Sequence, residues 1–317
     1  MFIAQAFKFR HEFWRYIVVS LLIILIHTLA QVPFMVALIF KEGPDILAQG
    51  TDQSALFSVL EPNLNLFLLL LPFAAALGAL FLLLKAVHGQ NRKSITTARP
   101  KIDWKRVWFA FGLWGALTLI ITLVDYYVSP ENYLLNFKLV PFLILVVIAV
   151  IFVPLQTSFE EYLFRGYLMQ GFGTLAKNRW FPLLMTSVIF GGLHYFNPEV
   201  EKIGDIAMVY YIGTGLFLGI LTLMDDGLEL ALGFHAANNL ISALLVTADW
   251  TAFQTHSIFK DLSDPAAGFD ILIPVLVVYP ILLFVFAKKY KWTNWKERLF
   301  GEVVDTSHAA EMEELGN

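Results

Sequence analysis

Three short polar motifs interrupt the apolar stretches of this chain: Glu160-Glu161-Tyr-Leu-Phe-Arg165, Phe190-Gly-Gly-Leu-His194 and His235-Ala-Ala-Asn238-Asn239. Ionisable side chains at or near hydrocarbon depth are expensive, so they usually face a bundle interior and serve a function there. Glu161 and Arg165 are spaced i,i+4, so on a helix they pair and partly neutralise each other. Glu160 points about 100° away and has no obvious partner in its own segment. Phe190 and His194 share a helical face, as do His235 and Asn239. Together these side chains could hydrolyse a peptide bond, a reaction that needs an activated water and donors for the oxyanion growing on the carbonyl. In that scheme a desolvated Glu160 is the general base. His194 shares or orients the water, and His235 and Asn239 donate to the oxyanion. Glu161, Arg165 and Phe190 brace the arrangement. A zinc version would use Glu160, His194 and His235 as ligands, with one position open for water. The chain has no His-Glu-x-x-His helix to favour it, so the metal-free version is preferred, with zinc left open.

The elements that must position these groups are read from composition. Of 317 residues, 58% are hydrophobic and 15% charged, and the apolar residues come in long blocks. A soluble protein could not hide so much apolar surface. The expected fold is an all-α polytopic membrane protein. A span needs roughly 20 apolar residues, which gives eight segments: 16–40, 63–85, 105–128, 139–157, 181–196, 206–224, 228–247 and 270–287. The fifth is short. Gly191, Gly192, Gly213, Gly215, Gly219, Gly233, Ala236 and Ala237 are small residues that let membrane helices approach closely. With both termini inside, every basic residue except Lys41, Lys138, Lys202 and Lys260 lies in a cytoplasmic segment, Arg165 included, as the positive-inside rule requires. The absence of cysteine excludes disulfides, thiolate ligands and cysteine nucleophiles.

Five regions flank or contain the motifs. Residues 1–15 mix aromatic and basic side chains as an interfacial amphipathic segment would, and 16–137 hold three spans with few polar groups. Within them, 86–104 reads as a basic, solvated loop near anionic headgroups. Residues 138–248 form the core that carries the motifs. Residues 249–300 hold an outer loop, the last span and a basic end, and 301–317 read as an acidic, disordered tail.

The ordered triple of motifs resembles the CAAX prenyl-protein endopeptidase and bacteriocin-processing (CPBP) family of intramembrane proteases. That family's pattern is Glu-Glu-x-x-x-Arg, Phe-x-x-x-His and His-x-x-x-Asn/Asp, and no motif position is substituted here. The resemblance covers roughly 150–245. It implies an eight-span helical protease with a membrane-embedded polar cavity formed by spans four, five and seven. It also implies a membrane-associated peptide substrate, lipidated or leader-bearing, and a multi-pass site in a bacterial inner membrane. Nothing suggests nucleic acid. Two other classes compete. A transporter would use the same groups as a proton relay, but no internal repeat is visible. A non-catalytic membrane partner or immunity protein would keep the motifs for packing alone.

One geometric demand follows. Counted from Leu139 at about 1.5 Å per residue, Glu160 falls near the cytoplasmic boundary, whereas His194 counted from Arg179 lies roughly 20 Å deep. The segment 139–175 must therefore be tilted or broken, and Pro141 and Pro154 are natural sites for a break. Catalysis needs Glu160 within about 10 Å of His194 or His235.

Overall fold

The computed structural model describes residues 1–47, 53–265 and 268–305. Most of these are helical, as hydrocarbon demands, because a helix bonds its own backbone N–H and C=O groups. The first apolar stretch is two helices, α1 (Phe13–Ala30) and α2 (Val32–Glu42), separated where Pro33 withholds an N–H. Helix α3 (Pro62–Leu83) is capped by Glu61, whose carboxylate accepts from Leu64 N at 3.0 Å. There follow α4 (Trp104–Val128), α5 (Leu139–Glu161), a π-helical segment Tyr162–Leu168, and α6 (Met169–Ala176). The chain continues with α7 (Trp180–Leu193), α8 (Ala207–Asp225), α9 (Glu229–Leu245) and α10 (Tyr279–Tyr290).

Among the described residues, five helices are long and apolar enough to cross a membrane: Phe13–Glu42, Pro62–His88, Trp104–Val128, Leu139–Ala176 and Ala207–Asp225. The other expected spans are also helical but shorter. Segment 181–196 is α7, of 14 residues. Segment 228–247 is α9, of 17. Segment 270–287 is assembled from short helical pieces that end in α10.

The fourth expected span, 139–157, does not end at 157. Its helix runs 38 residues to Ala176, roughly 57 Å at 1.5 Å per residue, well beyond the ~30 Å of a bilayer core. The expected break is not at Pro154, which lies inside α5; the helix widens instead at Tyr162–Leu168. Arg165 is therefore no cytoplasmic loop residue. It is fully buried.

The depth conflict disappears with this correction. Glu160 lies roughly 24 Å from the Ala176 end and His194 roughly 22 Å from Arg179, measured from the same hairpin at about 1.5 Å per residue.

The site helices are pressed together by small residues. A Cβ on Gly215 of α8 would lie 2.9 Å from Ser187 Cα of α7, and one on Gly191 of α7 would lie 3.0 Å from Ile212 N of α8. Gly192 does not share in this, since it faces open space. Helix α9 packs on both α4 and α5, and α5 also on α3.

Two opposite ends gather the connecting segments. At one end a small sheet joins β1 (Tyr133–Leu135), β2 (Val246–Thr247) and β3 (Phe259–Asp261) in the order β1-β3-β2. Tyr133 pairs with Asp261 antiparallel and Val246 with Phe259 parallel. At the other end the N-terminus meets the α8–α9 turn, with Phe2 N donating to Asp226 Oδ1 at 3.0 Å.

Three expectations about the periphery change. The apolar residues Phe2, Ile3 and Ala6 of the amphipathic segment are buried in protein, not laid on lipid. The basic loop is docked, because Arg99 pairs with Asp225 at 3.0 Å and with Glu229 at 3.1 Å, both of them buried. The start of the acidic tail is packed as well, with Val303 buried and bonded to Lys177 O; residues 306–317 lie outside the described ones.

Candidate active site

Glu160 and Glu161 end α5 side by side and face different partners. Both are buried, Glu161 completely. Glu161 Oε1 accepts from Arg165 Nη1 at 3.0 Å and from His235 Nδ1 at 2.7 Å. A carboxylate can only accept from that ring nitrogen, so Nδ1 carries the proton and His235 turns Nε2 toward Glu160. The Nε2 to Glu160 Oε2 separation is 3.4 Å, well inside the reach that catalysis requires. Glu160 Oε2 is buried with no hydrogen-bond partner.

Glu160 does have a partner in its own segment. Gln156, one turn earlier, donates through Nε2 to Glu160 Oε1 at 2.7 Å. Its Oε1 accepts from Asn239 Nδ2 at 3.1 Å, which ties α5 to α9. The sequence carries the signal, an amide spaced i−4 from the carboxylate, but an uncharged side chain in an apolar run does not stand out.

His194 caps the end of α7, and its Nδ1 donates to Phe190 O at 2.7 Å. In the neutral ring this leaves Nε2 unprotonated. The ring stacks on Tyr211 of α8, with centroids 4.4 Å apart and planes at 24°. Glu160, His235 and Arg165 are the charged groups that act on it electrostatically. Phe190 sits at the centre, with Arg165 4.1 Å over its ring and His235 at its edge, centroids 6.0 Å apart. Arg165 also donates to Gly215 O at 3.3 Å. The structure thus gathers Glu160, Glu161, Arg165, Phe190, His194, His235 and Asn239 between α5, α7 and α9, with Tyr211 from α8.

All of these motif residues fall within a segment, 138–241, that matches the family described as type II CAAX prenyl endopeptidase Rce1-like. A Bacillus subtilis (strain 168) protein, "Uncharacterized protein YyaK", is 30% identical over 237 residues, covering 74% of this chain and 78% of that protein. The chain belongs to the Rce1-like family. No solved structure matches it. The Rce1-like proteins are peptidases, and with five long apolar helices this member is an integral membrane protein.

The Rce1-like match covers the expected 138–248 core almost to its end. Two groups that complete the site lie outside the match or outside the motifs: Trp114 of α4 and Tyr211 of α8. Their signal in the sequence is weak, since aromatic residues abound in every span. The zinc alternative meets the right donor chemistry in Glu160, His194 and His235. Among the described residues, however, no three His, Asp or Glu side chains are gathered into a set that could hold a metal ion. A zinc site would need those three to draw closer.

Proposed function

We propose that this chain is a CAAX-type intramembrane endopeptidase that hydrolyses a peptide bond of a membrane-associated substrate with a water activated by Glu160. The observation that carries the reading is Glu160 Oε2, a buried carboxylate oxygen without a hydrogen-bond partner, 3.4 Å from an imidazole nitrogen. Such an oxygen can take a proton from water while the excluded solvent strengthens every charge interaction around it. Water gives a proton to Glu160 and its oxygen attacks the carbonyl carbon. The carbonyl oxygen becomes an oxyanion, to which the second N–H of Asn239 can donate; His235 gives its Nδ1–H to Glu161 and so can join only with a further proton on Nε2. Collapse breaks the C–N bond, and the proton held by Glu160 passes to the leaving amine. His194 orients the water through Nε2.

The placement of α5, α7 and α9 supports a cavity between the fourth, fifth and seventh of eight membrane segments. The gathering of the basic segments at one end supports both termini facing the cytoplasm, in a bacterial inner membrane. The family description favours a prenylated CAAX peptide as substrate, read in the lipid bilayer.

The test uses purified protein in vesicles with a quenched prenylated CAAX peptide. Glu160→Gln is expected to lower kcat by at least about 10²-fold, the size of a lost general base, with folding intact. Comparison of membrane peptides from wild-type and Glu160→Gln cells would find the substrate if that probe is not cut. Full activity of Glu160→Gln would sink the reading. Loss of wild-type activity on rigorous metal stripping, restored by zinc, would replace it with the zinc version.

A further inference from the structure

Gln156 belongs to a chain of hydrogen bonds whose direction is fixed at both ends. The Trp114 indole N–H can only donate, and it donates to Asn238 Oδ1 at 3.1 Å. Asn238 Nδ2 then donates to Asn239 Oδ1 at 3.0 Å, and Asn239 Nδ2 to Gln156 Oε1 at 3.1 Å. Gln156 Nε2 donates to Glu160 Oε1 at 2.7 Å. That last group is a carboxylate, which when ionised only accepts. No amide in the series can turn over without setting donor against donor or acceptor against acceptor. Tyr210 also reaches Asn238, but a hydroxyl both donates and accepts and so fits either sense.

We propose that Gln156 is a positioning residue for peptide hydrolysis, resting on the reading of Glu160 as the base. It occupies Oε1 of Glu160 and one N–H of Asn239, and so leaves Oε2 of the base and the second N–H of Asn239 to act on water and oxyanion. Three observations agree. Gln156 is buried, so its amide has no water to replace these partners. Oε2 is the oxygen without a hydrogen bond, and it is the one that faces His235. The bridge joins α5 to α9, the two helices that must hold base and oxyanion donor at a fixed separation. Arg165 and Glu161 cannot do this, because their bonds serve the other carboxylate.

The experiment measures kcat, KM and the pH–rate profile of Gln156→Leu and Gln156→Glu beside Glu160→Gln, with the quenched peptide in vesicles. The charged groups facing Glu160 (Glu161, Arg165, His194 and His235) stay in place in every variant. Gln156→Leu removes a hydrogen bond that stabilises the ionised base. Its acidic limb is therefore expected to move up by about one pH unit, since bonds to charged groups are worth roughly that much. kcat should fall about 10- to 100-fold for a loosened geometry, with KM within about twofold. Gln156→Glu keeps the shape and the acceptor for Asn239 but loses the donor. Its limb should move further in the same direction. A profile that scales down uniformly, with the limb unmoved in both variants, would show that Gln156 only packs. That result overturns this proposal while an inactive Glu160→Gln leaves the underlying reading standing. An active Glu160→Gln overturns both.

Discussion

Glu161 answers to two partners through a single oxygen, and that makes it a different kind of residue from its neighbour. Arg165 and His235 both donate to its Oε1, so neutralising it strands a fully buried guanidinium. Breaking a buried pair from one side destabilises by about 3–5 kcal/mol, because the remaining charge stays buried and unpaired. Glu161→Gln is therefore expected to lower the melting temperature in detergent sharply and to lose activity through folding. Glu160→Gln should melt close to wild type while losing activity, since its amide can still meet Gln156 and His235. Equal melting temperatures for the two variants would contradict this division. The division itself was legible in the sequence, because i,i+4 spacing assigns Arg165 to Glu161. What spacing could not give was the third member. His235 reaches Glu161 from 74 residues away, and no local rule carries that pairing. Gln156 was nearer to hand, but an amide in an apolar run reads as one polar residue until its partner is seen.

An apolar run locates an element where it stands alone and misplaces its end where charges sit inside it. Counting apolar residues ends the fourth span at 157, just before Glu160. The helix continues to Ala176 because Glu161, Arg165 and His235 satisfy one another inside the bundle and need no water. The small residues were a surer guide, since close approach needs only the missing side chain. Gly215 lets α8 lie against the Ser187 backbone while its carbonyl accepts from Arg165. Gly215→Val is expected to push α8 from α7, moving His194 off Tyr211 and lowering both melting temperature and kcat; a wild-type melting curve would refute that. At the far end of α3 a pH effect has a definite sign. Burial alone would raise the Glu61 carboxyl, but hydrogen bonds from Leu64 N, His256 and Asn63 N outweigh it and hold the group below its ordinary value. The cap thus stabilises the fold above the ordinary carboxylate range and is lost as pH falls through the lowered value. Melting temperature against pH should drop less steeply below about pH 4.5 in Glu61→Gln than in wild type.

For the whole molecule, the end bearing the termini is held by ions as well as by apolar contacts among Phe2, Ile3, Leu228 and Val303. Asp225 and Glu229 flank the turn between α8 and α9, and Arg99 spans them from the loop between α3 and α4. Arg106 binds Asp225 as well, Trp292 donates to it at 3.1 Å, and Arg298 pairs with Asp226 at 2.9 Å. Leu228 N donates to Thr96 O at 2.7 Å, which fixes the loop's backbone beside the turn. Charge counting reads these basic residues as solvated, because composition does not reveal which carboxylates fold against them. The turn they clamp leads directly into α9, the helix of His235 and Asn239, so this junction sets how that helix enters the site. Asp225→Asn and Arg99→Ala should each lower stability, the first more, because Arg99 and Arg106 both lose a buried partner and keep only Glu229 and Asp103. Arg99 is partly exposed, so its removal should do less. The two sites share one ion pair, so the double variant should fall short of the sum by about 0.5–3 kcal/mol. Additive losses in that cycle would mean that the loop and the turn are held independently, and that the junction does not act as one clamp on α9.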